Sequence, residues 1–460
     1  MIRKMLLAST IIGLSGCAVG PDYQAPSLNF ASQWFSQDEQ VFTPTEINTK
    51  WWESFNDPLL NEFIESAVEN NKDLTIALAN IRAARAAKKE SVGALLPEIG
   101  GDSNARRGKS TSSARVSNSY DASFDASWEV DIFGGNRRAV EASDARIGAS
   151  EAEYQDVMLS VLSDVARTYY EARGLQKRIA NTQRNSQLLK EAYEVIKDRL
   201  KAGETSEFDL ARAQSEYELT YALIPDLRAQ LKVAVYSLSV VLGQPPESLL
   251  DEMEAIKPLP APPDIVPVGL RSDILRRRPD VRKAERDLAA SVADIGVETA
   301  ELFPKFFLTG DFGSQATLFG DLFTGGTGIW SLASAVQWSV FEGGAIRARI
   351  DQREAESEAA LAAYEKTVLE ALLDAESALT RYGEELETRR RLARGVQSLT
   401  KSKMLAKELY GAGEQDYLAV VDAERQLIAS EDNLIISETN SITKLIALYT
   451  ALGGELKNIN

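Results

Sequence analysis

Residues 120–131 read Tyr-Asp-Ala-Ser-Phe-Asp-Ala-Ser-Trp-Glu-Val-Asp, and apolar side chains alternate strictly with polar ones along the whole stretch. The even positions from Tyr120 to Val130 are apolar or aromatic, and the odd positions from Asp121 to Asp131 carry carboxylates and hydroxyls. A period of two residues puts these sets on opposite faces of a β-strand. The stretch therefore predicts a two-faced strand, which is typical of transmembrane β-barrels and of soluble β-sandwiches.

Similar segments nearby complete two predicted β-hairpins, at about residues 97–131 and about 305–341. In the second hairpin Trp330, Leu332 and Trp338 share one face, opposite Ser331 and Gln337. Four strands cannot close a barrel, and an open sheet edge cannot lie in lipid. A membrane role for these hairpins therefore requires strands from several chains.

The chain repeats itself at a spacing of 207 to 210 residues, which predicts an internal duplication. The matching pairs are Leu96-Pro97 with Phe303-Pro304, Trp128 with Trp338, Ala202-Gly203-Glu204 with Ala412-Gly413-Glu414, and Leu242-Gly243 with Leu452-Gly453. Four matches in the same order are not expected by chance. We predict a first repeat at 57–243, a proline-rich linker at 244–268, a second repeat at 269–453 and a C-terminal tail at 454–460.

A long helical hairpin follows the strands in each repeat. Proline is absent from Asn136 to Leu200 and from Gly344 to the last residue, and apolar side chains recur every three or four positions. A helix of some 65 residues would extend about 95–100 Å at about 1.5 Å per residue. Gly203 and Gly413 stand where each helix would end and the chain would reverse. A cytosolic rod or a coiled-coil tether shows the same pattern.

The N-terminus predicts a processed and lipidated protein. Residues 1–16 combine Arg3 and Lys4 with a short apolar stretch, as a signal peptide does, and they end at Leu14-Ser15-Gly16 before Cys17. This arrangement resembles a bacterial lipobox, in which the cysteine is acylated, by palmitate for example, and becomes the mature N-terminus. Ala18 follows instead of the aspartate that retains lipoproteins in the inner membrane. We expect a lipid-anchored N-terminal segment at 17–56 and an address in the outer membrane.

Composition removes most catalytic and cofactor chemistry. The 460 residues include no histidine and a single cysteine, Cys17, so the commonest metal ligand is missing and no disulfide can form within the chain. The formal net charge of −17 argues against nucleic-acid binding. Hydrolytic chemistry on pairs of aspartate and glutamate remains open on composition, but no carboxylate pair here comes with a recognisable motif. We therefore predict a protein that is not an enzyme, needs no cofactor or metal and binds no nucleic acid.

Several motifs together resemble one family. They are Cys17-Ala18-Val19-Gly20-Pro21-Asp22-Tyr23, Trp51-Trp52, Gly269-Leu270-Arg271-Ser272-Asp273, Arg277-Arg278-Pro279-Asp280-Val281-Arg282, and Phe303-Pro304. With these motifs the chain resembles the TolC-type outer membrane factors, in the lipoprotein branch that serves resistance–nodulation–division (RND) efflux pumps, and so a NodT-like outer membrane efflux lipoprotein. The resemblance extends over nearly the whole chain. Trp51 and Trp52 themselves are expected to be packing anchors.

The resemblance implies a mixed α+β membrane protein that forms a homotrimer. Four strands from each chain would build one twelve-stranded transmembrane β-barrel, continued by a long α-helical barrel across the periplasm. The implied function is a passive exit duct for drugs and other small toxic compounds, in contact with outer membrane lipid. Its implied partners are a periplasmic adaptor protein and an inner-membrane RND transporter. Two alternatives remain open: a duct for type I protein secretion, and a lipid-anchored coiled-coil scaffold without a pore.

The resemblance also implies where the duct closes and where it docks. The family positions that constrict or latch the periplasmic end match Asp209, Tyr410, Leu418, Asp422 and Arg425. Asp422 and Arg425 stand three residues apart on one predicted helix, so they can pair locally or across a subunit boundary. The candidate docking points for the adaptor are the helical tips, at Gly203, Glu204, Gly413 and Glu414.

Overall fold

The computed structural model describes residues 18–27, 31, 33–35, 41–45, 50–109, 116–263 and 265–454. The predicted signal peptide, Cys17 and nearly all of the predicted tail lie outside the described residues. Helices account for most of the described chain. They are α1 (Pro58–Asn70), α2 (Lys72–Gly93), α3 (Gly135–Lys201), α4 (Glu207–Tyr221), α5 (Leu223–Val241), α6 (Ile274–Arg277), α7 (Pro279–Ala300), α8 (Ala345–Gly411) and α9 (Tyr417–Ala451).

The strands form two sheets. They are β1 (Phe42–Thr43), β2 (Glu98–Lys109), β3 (Val116–Val130), β4 (Val266–Pro267), β5 (Lys305–Ala316) and β6 (Gly328–Gln337). β1 and β4 form a short parallel pair, whereas the other four build an antiparallel sheet in the order β2-β3-β5-β6. The predicted hairpins are thus β2-β3 and β5-β6, and the sheet keeps both outer edges open.

The register of the large sheet collects the apolar side chains on one face. Phe124 of β3 lies opposite Phe312 of β5, which lies opposite Trp330 of β6. Directly paired residues point to the same face of a sheet. These three rings are 67%, 70% and 76% exposed in the single chain, so this part of the apolar face is largely accessible. Carboxylates such as Asp125 and Asp311, which are paired with each other, occupy the opposite face.

The two long helices are the same length. α3 and α8 each contain 67 residues, and each begins within one residue of a proline-free run read from the sequence. The return of the first hairpin is interrupted at Ala222, between α4 and α5, whereas α9 continues unbroken for 35 residues. Pro225 accounts for the difference, because proline lacks an N–H group and its ring clashes with the preceding turn of a helix.

The described chain divides into two compact units. Of the described residues, unit 1 contains the large sheet and combines 18–27, 78–109, 116–153 and 280–367. Unit 2 contains both helical tips and combines the described residues between 31 and 77, those between 154 and 279, and 368–454. Each unit takes segments from both predicted repeats, because every repeat begins and ends in unit 2 and forms its strands in unit 1. Among the described residues, no helix is long and apolar enough to cross a bilayer.

Unit 2 has an aromatic core around Trp51. This indole is 1% exposed, stacks on Tyr449 at a centroid distance of 5.5 Å and meets Trp52 edge-on at 5.8 Å. Phe55 extends the cluster and contacts Tyr170 at 5.1 Å. The prediction that Trp51 and Trp52 are packing anchors agrees with this burial.

In unit 1, Arg138 binds the segment that begins at Ala18. The Arg138 side chain is buried, and its guanidinium donates to the carbonyl of Val19 at 3.1 Å, to that of Gly20 at 3.3 Å and to the carboxylate of Asp22 at 2.7 Å. Ala18 lies against Gly134, where a Cβ atom would come within 2.7 Å of it. The segment is therefore held close to the end of β3.

Candidate functional site at the helical tips

The two helical tips use the same turn. Gly203 and Gly413 have φ angles of +77° and +74°, values that a residue with a side chain adopts only with strain. In each tip the glycine and the next residue donate their backbone N–H groups to carbonyls of the preceding helix. These bonds are 2.9 Å long at Gly203 and Glu204 and 3.0 Å long at Gly413 and Glu414. The predicted tips thus end α3 and α8 with equivalent left-handed caps.

Asp209 lies just beyond the first tip and caps its own helix. The hydroxyl groups of Ser206 and Thr205 donate to its carboxylate at 2.7 and 2.9 Å, and the Asp209 amide donates to the Ser206 hydroxyl at 3.2 Å. The Ser206 amide also donates to the Asp209 carboxylate, at 3.3 Å, and this bond forms the capping box of α4 together with the bond from the Asp209 amide to the Ser206 hydroxyl. The hydrogen bond from Ser206 lowers the pKa of Asp209, because it favours the ionised carboxylate.

We expect acid to loosen this cap. The pKa of Asp209 is lower in the folded chain than in the unfolded chain, so its stabilisation is present above about pH 4, the ordinary aspartate value, and is lost as pH falls through the folded value. Amide protection factors at residues 206–210, measured by hydrogen exchange and mass spectrometry, should fall in that range. In Asp209→Asn they should be lower at neutral pH and show no such step. A step of the same size in the variant would contradict this assignment.

Arg199 and Tyr410 connect the two helical hairpins. Arg199, in the last turn of α3, donates to the Tyr410 hydroxyl at 2.9 Å. Its guanidinium also lies over the Tyr410 ring, 5.4 Å from the ring centre, a distance typical of a cation–π contact. Tyr410 in turn packs against Tyr417 at 5.5 Å. The predicted residue Tyr410 therefore contacts the first hairpin directly.

Arg212 and Asp422 form a second connection. The Arg212 guanidinium on α4 lies 3.3 Å from the Asp422 carboxylate on α9, and Arg425 lies 3.7 Å from the same carboxylate. Arg212 and Asp422 occupy equivalent positions of the two predicted repeats, 210 residues apart. The predicted local pairing of Asp422 with Arg425 is present, and the shorter contact is to Arg212. Leu418, one helical turn before Asp422, is 39% exposed.

The second hairpin is also held together internally. Glu424 on α9 is 5% exposed and pairs with Lys403 at 3.3 Å and with Lys407 at 3.1 Å, both on α8. Burial, followed by the nearby Glu424 charge, raises the pKa of Tyr417 to about 12, so this tyrosine stays neutral at physiological pH. Lys403 and Lys407 lie one helical turn apart on the same face of α8. Their positive charges compensate the buried carboxylate of Glu424.

The tip region brings together most of the predicted site residues. Tyr410 and Asp422 contact the first hairpin, Arg425 contacts Asp422, and Asp209 is engaged within α4. We call the four residues Arg199, Tyr410, Arg212 and Asp422 the hairpin latch. The sequence analysis did not identify Arg199, nor the Glu424 cluster that Glu424 forms with Lys403 and Lys407. A charged residue on the inward face of a predicted helix is a signal that could have identified these residues. No group of acidic or cysteine side chains in the described residues could hold a metal ion.

The model of one protein family, described as outer membrane efflux protein, matches residues 63–244 and 270–454. The chain belongs to the outer membrane efflux protein family. The two matched segments coincide closely with the two predicted repeats. The expected resemblance is thereby confirmed.

Relatives of this efflux family match over nearly their full length. Nodulation protein T of Rhizobium leguminosarum bv. trifolii is 30% identical over 443 residues, which cover 95% of this chain and 94% of the relative. The toluene efflux pump outer membrane protein TtgI of Pseudomonas putida is 29% identical and covers 98% of each chain. The outer-membrane channel OprN superposes with a TM-score of 0.91 at 33% identity, covering 96% of this chain and 100% of that one.

These likenesses establish the fold and the general function. The protein has the mixed helix-and-strand fold of the outer-membrane efflux channels, as predicted. It is the outer membrane component of an efflux system and is located in the outer membrane, extending into the periplasm. It works with partner proteins, and its family is a family of channels and not a class of enzymes.

Proposed function

We propose that the protein is a homotrimeric exit duct whose periplasmic end is closed by the hairpin latch. The large sheet ends in two open edges, at β2 and β6. Unpaired strand edges are not tolerated in lipid, so these edges need partners from neighbouring chains. Three copies of four strands give a closed barrel of twelve, well within the known range of outer-membrane barrels.

The observation that carries the gate is the double contact between the two hairpins at one level. Arg199 with Tyr410 and Arg212 with Asp422 join α3 and α4 of the first hairpin to α8 and α9 of the second. A threefold axis would repeat these contacts and gather the exposed Leu418 side chains around the bore. The Glu424 cluster supports movement of the second hairpin as one body, because it joins α8 to α9 without involving the first hairpin.

The transported compounds are proposed to be small, toxic and predominantly apolar. Relatives of this chain are pump components named for toluene, solvents and antibiotics. An inner-membrane RND transporter would supply the energy, and a periplasmic adaptor would bind the tips at Gly203, Glu204, Gly413 and Glu414. The glycines there hold left-handed turns, which leaves the neighbouring glutamates exposed at the end of each hairpin. The names of these relatives point to efflux and give no such support to a duct for secreted proteins.

Oligomeric state and pore formation test the proposed duct together. We expect the purified protein in mild detergent to have the mass of three chains, and to form long-lived conducting pores in planar bilayers. A monodisperse monomer would contradict the shared barrel. A trimer that never conducts, under any voltage or salt condition, would instead favour the scaffold without a pore.

Acylation of Cys17 remains a prediction from the sequence, and labelling tests it. Cells supplied with radioactive palmitate should label the wild-type protein, whereas Cys17→Ser should carry no label. The sheet should still insert in the variant, because its apolar face and not the acyl chain spans the hydrocarbon layer. Persistent labelling of Cys17→Ser would show that the lipid is attached elsewhere.

A further inference from the structure

The loop between β5 and β6 folds back over the apolar face of the large sheet. Ser314 of β5 bonds to Thr327 at 2.8 Å and to the carbonyl of Leu322. Phe319 of the loop packs edge-on against Tyr120 of β3, with ring centres 5.6 Å apart. Tyr120, Ala122 and Phe124 are alternate residues of β3 and therefore lie on one face of the sheet. Ser314 pairs with Ala122 and so lies on the same face. The loop therefore covers part of the face that is turned toward lipid.

A groove of about 530 Å³ lies between this loop and the sheet. This volume falls within the roughly 300–1,000 Å³ of typical ligand sites. We call it the β5–β6 groove. Small residues of β2 and β3, including Gly101, Ser103 and Ala122, contribute its floor, and Phe124 and Phe312 contribute aromatic walls. Phe323, which is 81% exposed, lines the groove from the loop.

The groove does not lie where a neighbouring chain would pair. Its floor crosses β2, β3 and β5, whereas neighbours in a trimer add their strands at the edges of β2 and β6. The face on which it lies is apolar, and the protein is located in the outer membrane. Lipid therefore surrounds this face, and we expect the occupant of the groove to be a lipid.

Two basic side chains stand beyond the groove on the same face. In the pairing of β2 with β3, Gly101 lies opposite Phe124 and Ser103 lies opposite Ala122. The same register places Arg107 opposite Asn118 and Lys109 opposite Val116, so both basic residues lie on the face of Phe124. Arg107 and Lys109 thus follow Ser103 by about 13 and 20 Å along the strand, at about 3.3 Å per residue. Both are exposed. An apolar groove with cations at one end matches a lipid with an anionic headgroup.

We propose that the β5–β6 groove binds an acyl chain of a phosphorylated glycolipid of the outer leaflet, lipid A, while Arg107 and Lys109 bind its phosphate. The loop end of the sheet is opposite the end that leads into the long helices, and therefore lies toward the outer leaflet. Lipid A is the abundant lipid there that combines saturated acyl chains with phosphate groups. Arginine and lysine both form charge-assisted bonds to phosphate oxygens.

Native mass spectrometry of the intact trimer tests the charged end of the site. Trimers would be stripped of lipid in detergent, incubated with purified lipid A and measured for the number of lipid molecules retained. We expect Arg107→Gln with Lys109→Gln to lower retention at least tenfold. Arg106→Gln is the matched control, because Arg106 pairs with Ser119 and faces the polar side of the same strand. Its retention should change less than twofold, and an equal loss in this control would overturn the proposal.

The apolar end is tested separately. Ala122→Trp would fill the floor of the groove and Phe323→Ala would remove a wall without adding bulk, and each should lower retention several-fold in trimers of unchanged mass. Inorganic phosphate at equal phosphate concentration should not displace the lipid, and phosphatidylethanolamine should be retained poorly. Displacement by phosphate alone, or retention that neither groove variant lowers, would overturn the acyl-chain site.

Discussion

Alanine at both Asp422 and Arg425 is expected to increase single-channel conductance several-fold and to admit a bulky antibiotic such as vancomycin. The change removes the Arg212–Asp422 contact at 3.3 Å and the Asp422–Arg425 contact at 3.7 Å. These side chains are partly exposed, so each pair contributes only about 0.5 kcal/mol. Only the Arg212–Asp422 pair joins the two hairpins, because Asp422 and Arg425 lie on the same helix in either state. Three subunits therefore lose about 1.5 kcal/mol of closed-state stability, and every 1.4 kcal/mol changes an equilibrium about tenfold. The closed state should lose roughly one order of magnitude in relative population.

Leu418→Ala separates the steric barrier from the latch. It should widen the constriction and increase conductance less than the double variant, because the contacts of Asp422 remain. The control is alanine at Glu387 and Arg391, an ion pair of the same kind on α8 with an N–O distance of 2.5 Å that lies well before the tip. Its conductance should stay at the wild-type level. If correctly inserted trimers of the latch variants conduct no better than this control, the gate lies elsewhere.

Trp51→Ala should produce the largest loss of stability. The indole is buried and contacts Trp52, Phe55 and Tyr449 with centroid distances of 5.5 to 6.2 Å. Truncating a buried tryptophan removes its transfer free energy and leaves a cavity, which together cost about 3–5 kcal/mol. The temperature at which trimers dissociate on mild detergent gels should fall by many degrees, and limited proteolysis should cleave unit 2 faster.

Two variants qualify this result. Trp51→Phe keeps most of the apolar surface and should have an intermediate dissociation temperature. Phe35→Ala removes a ring that is 94% exposed in the single chain and should leave the temperature nearly unchanged. A Trp51→Ala trimer as heat-stable as the wild type would mean that the aromatic cluster is not the core of unit 2.

Local periodicity predicts the elements of this fold well. The alternation at 120–131 identifies β3, and the proline-free runs predict α3 and α8 to within a residue or two at their first ends. The strand limits are less accurate: β6 ends at Gln337, so Trp338 lies beyond it and donates its indole N–H to the carbonyl of Leu302. The alternation of apolar and polar residues continues beyond Gln337, the last residue of β6 that pairs with β5. Strand pairing also requires a neighbouring strand, which the alternation alone does not provide.

The latch contacts are harder to predict, because they join residues far apart in the chain. Arg199 is one of several basic residues in its turn, and only the position of Tyr410 distinguishes it. Asp209 illustrates the opposite case. Its sequence context, Thr205-Ser206 followed by an acidic residue three positions on, already predicts a helix cap, and in the structure those hydroxyls bind its carboxylate. Whether it also takes part in gating stays a prediction.

The contacts of Arg138 have a mechanical consequence for the N-terminus. The segment that this arginine holds begins at Ala18, which packs on Gly134 close to the end of β3. Cys17 is the preceding residue, so a very short tether would connect an acyl group on it to the segment that Arg138 holds. Such a short tether gives the acyl chain a high effective concentration at one depth and one angular position around the barrel. Lipidation would then set the vertical position of each subunit in the membrane, in addition to retaining the protein there.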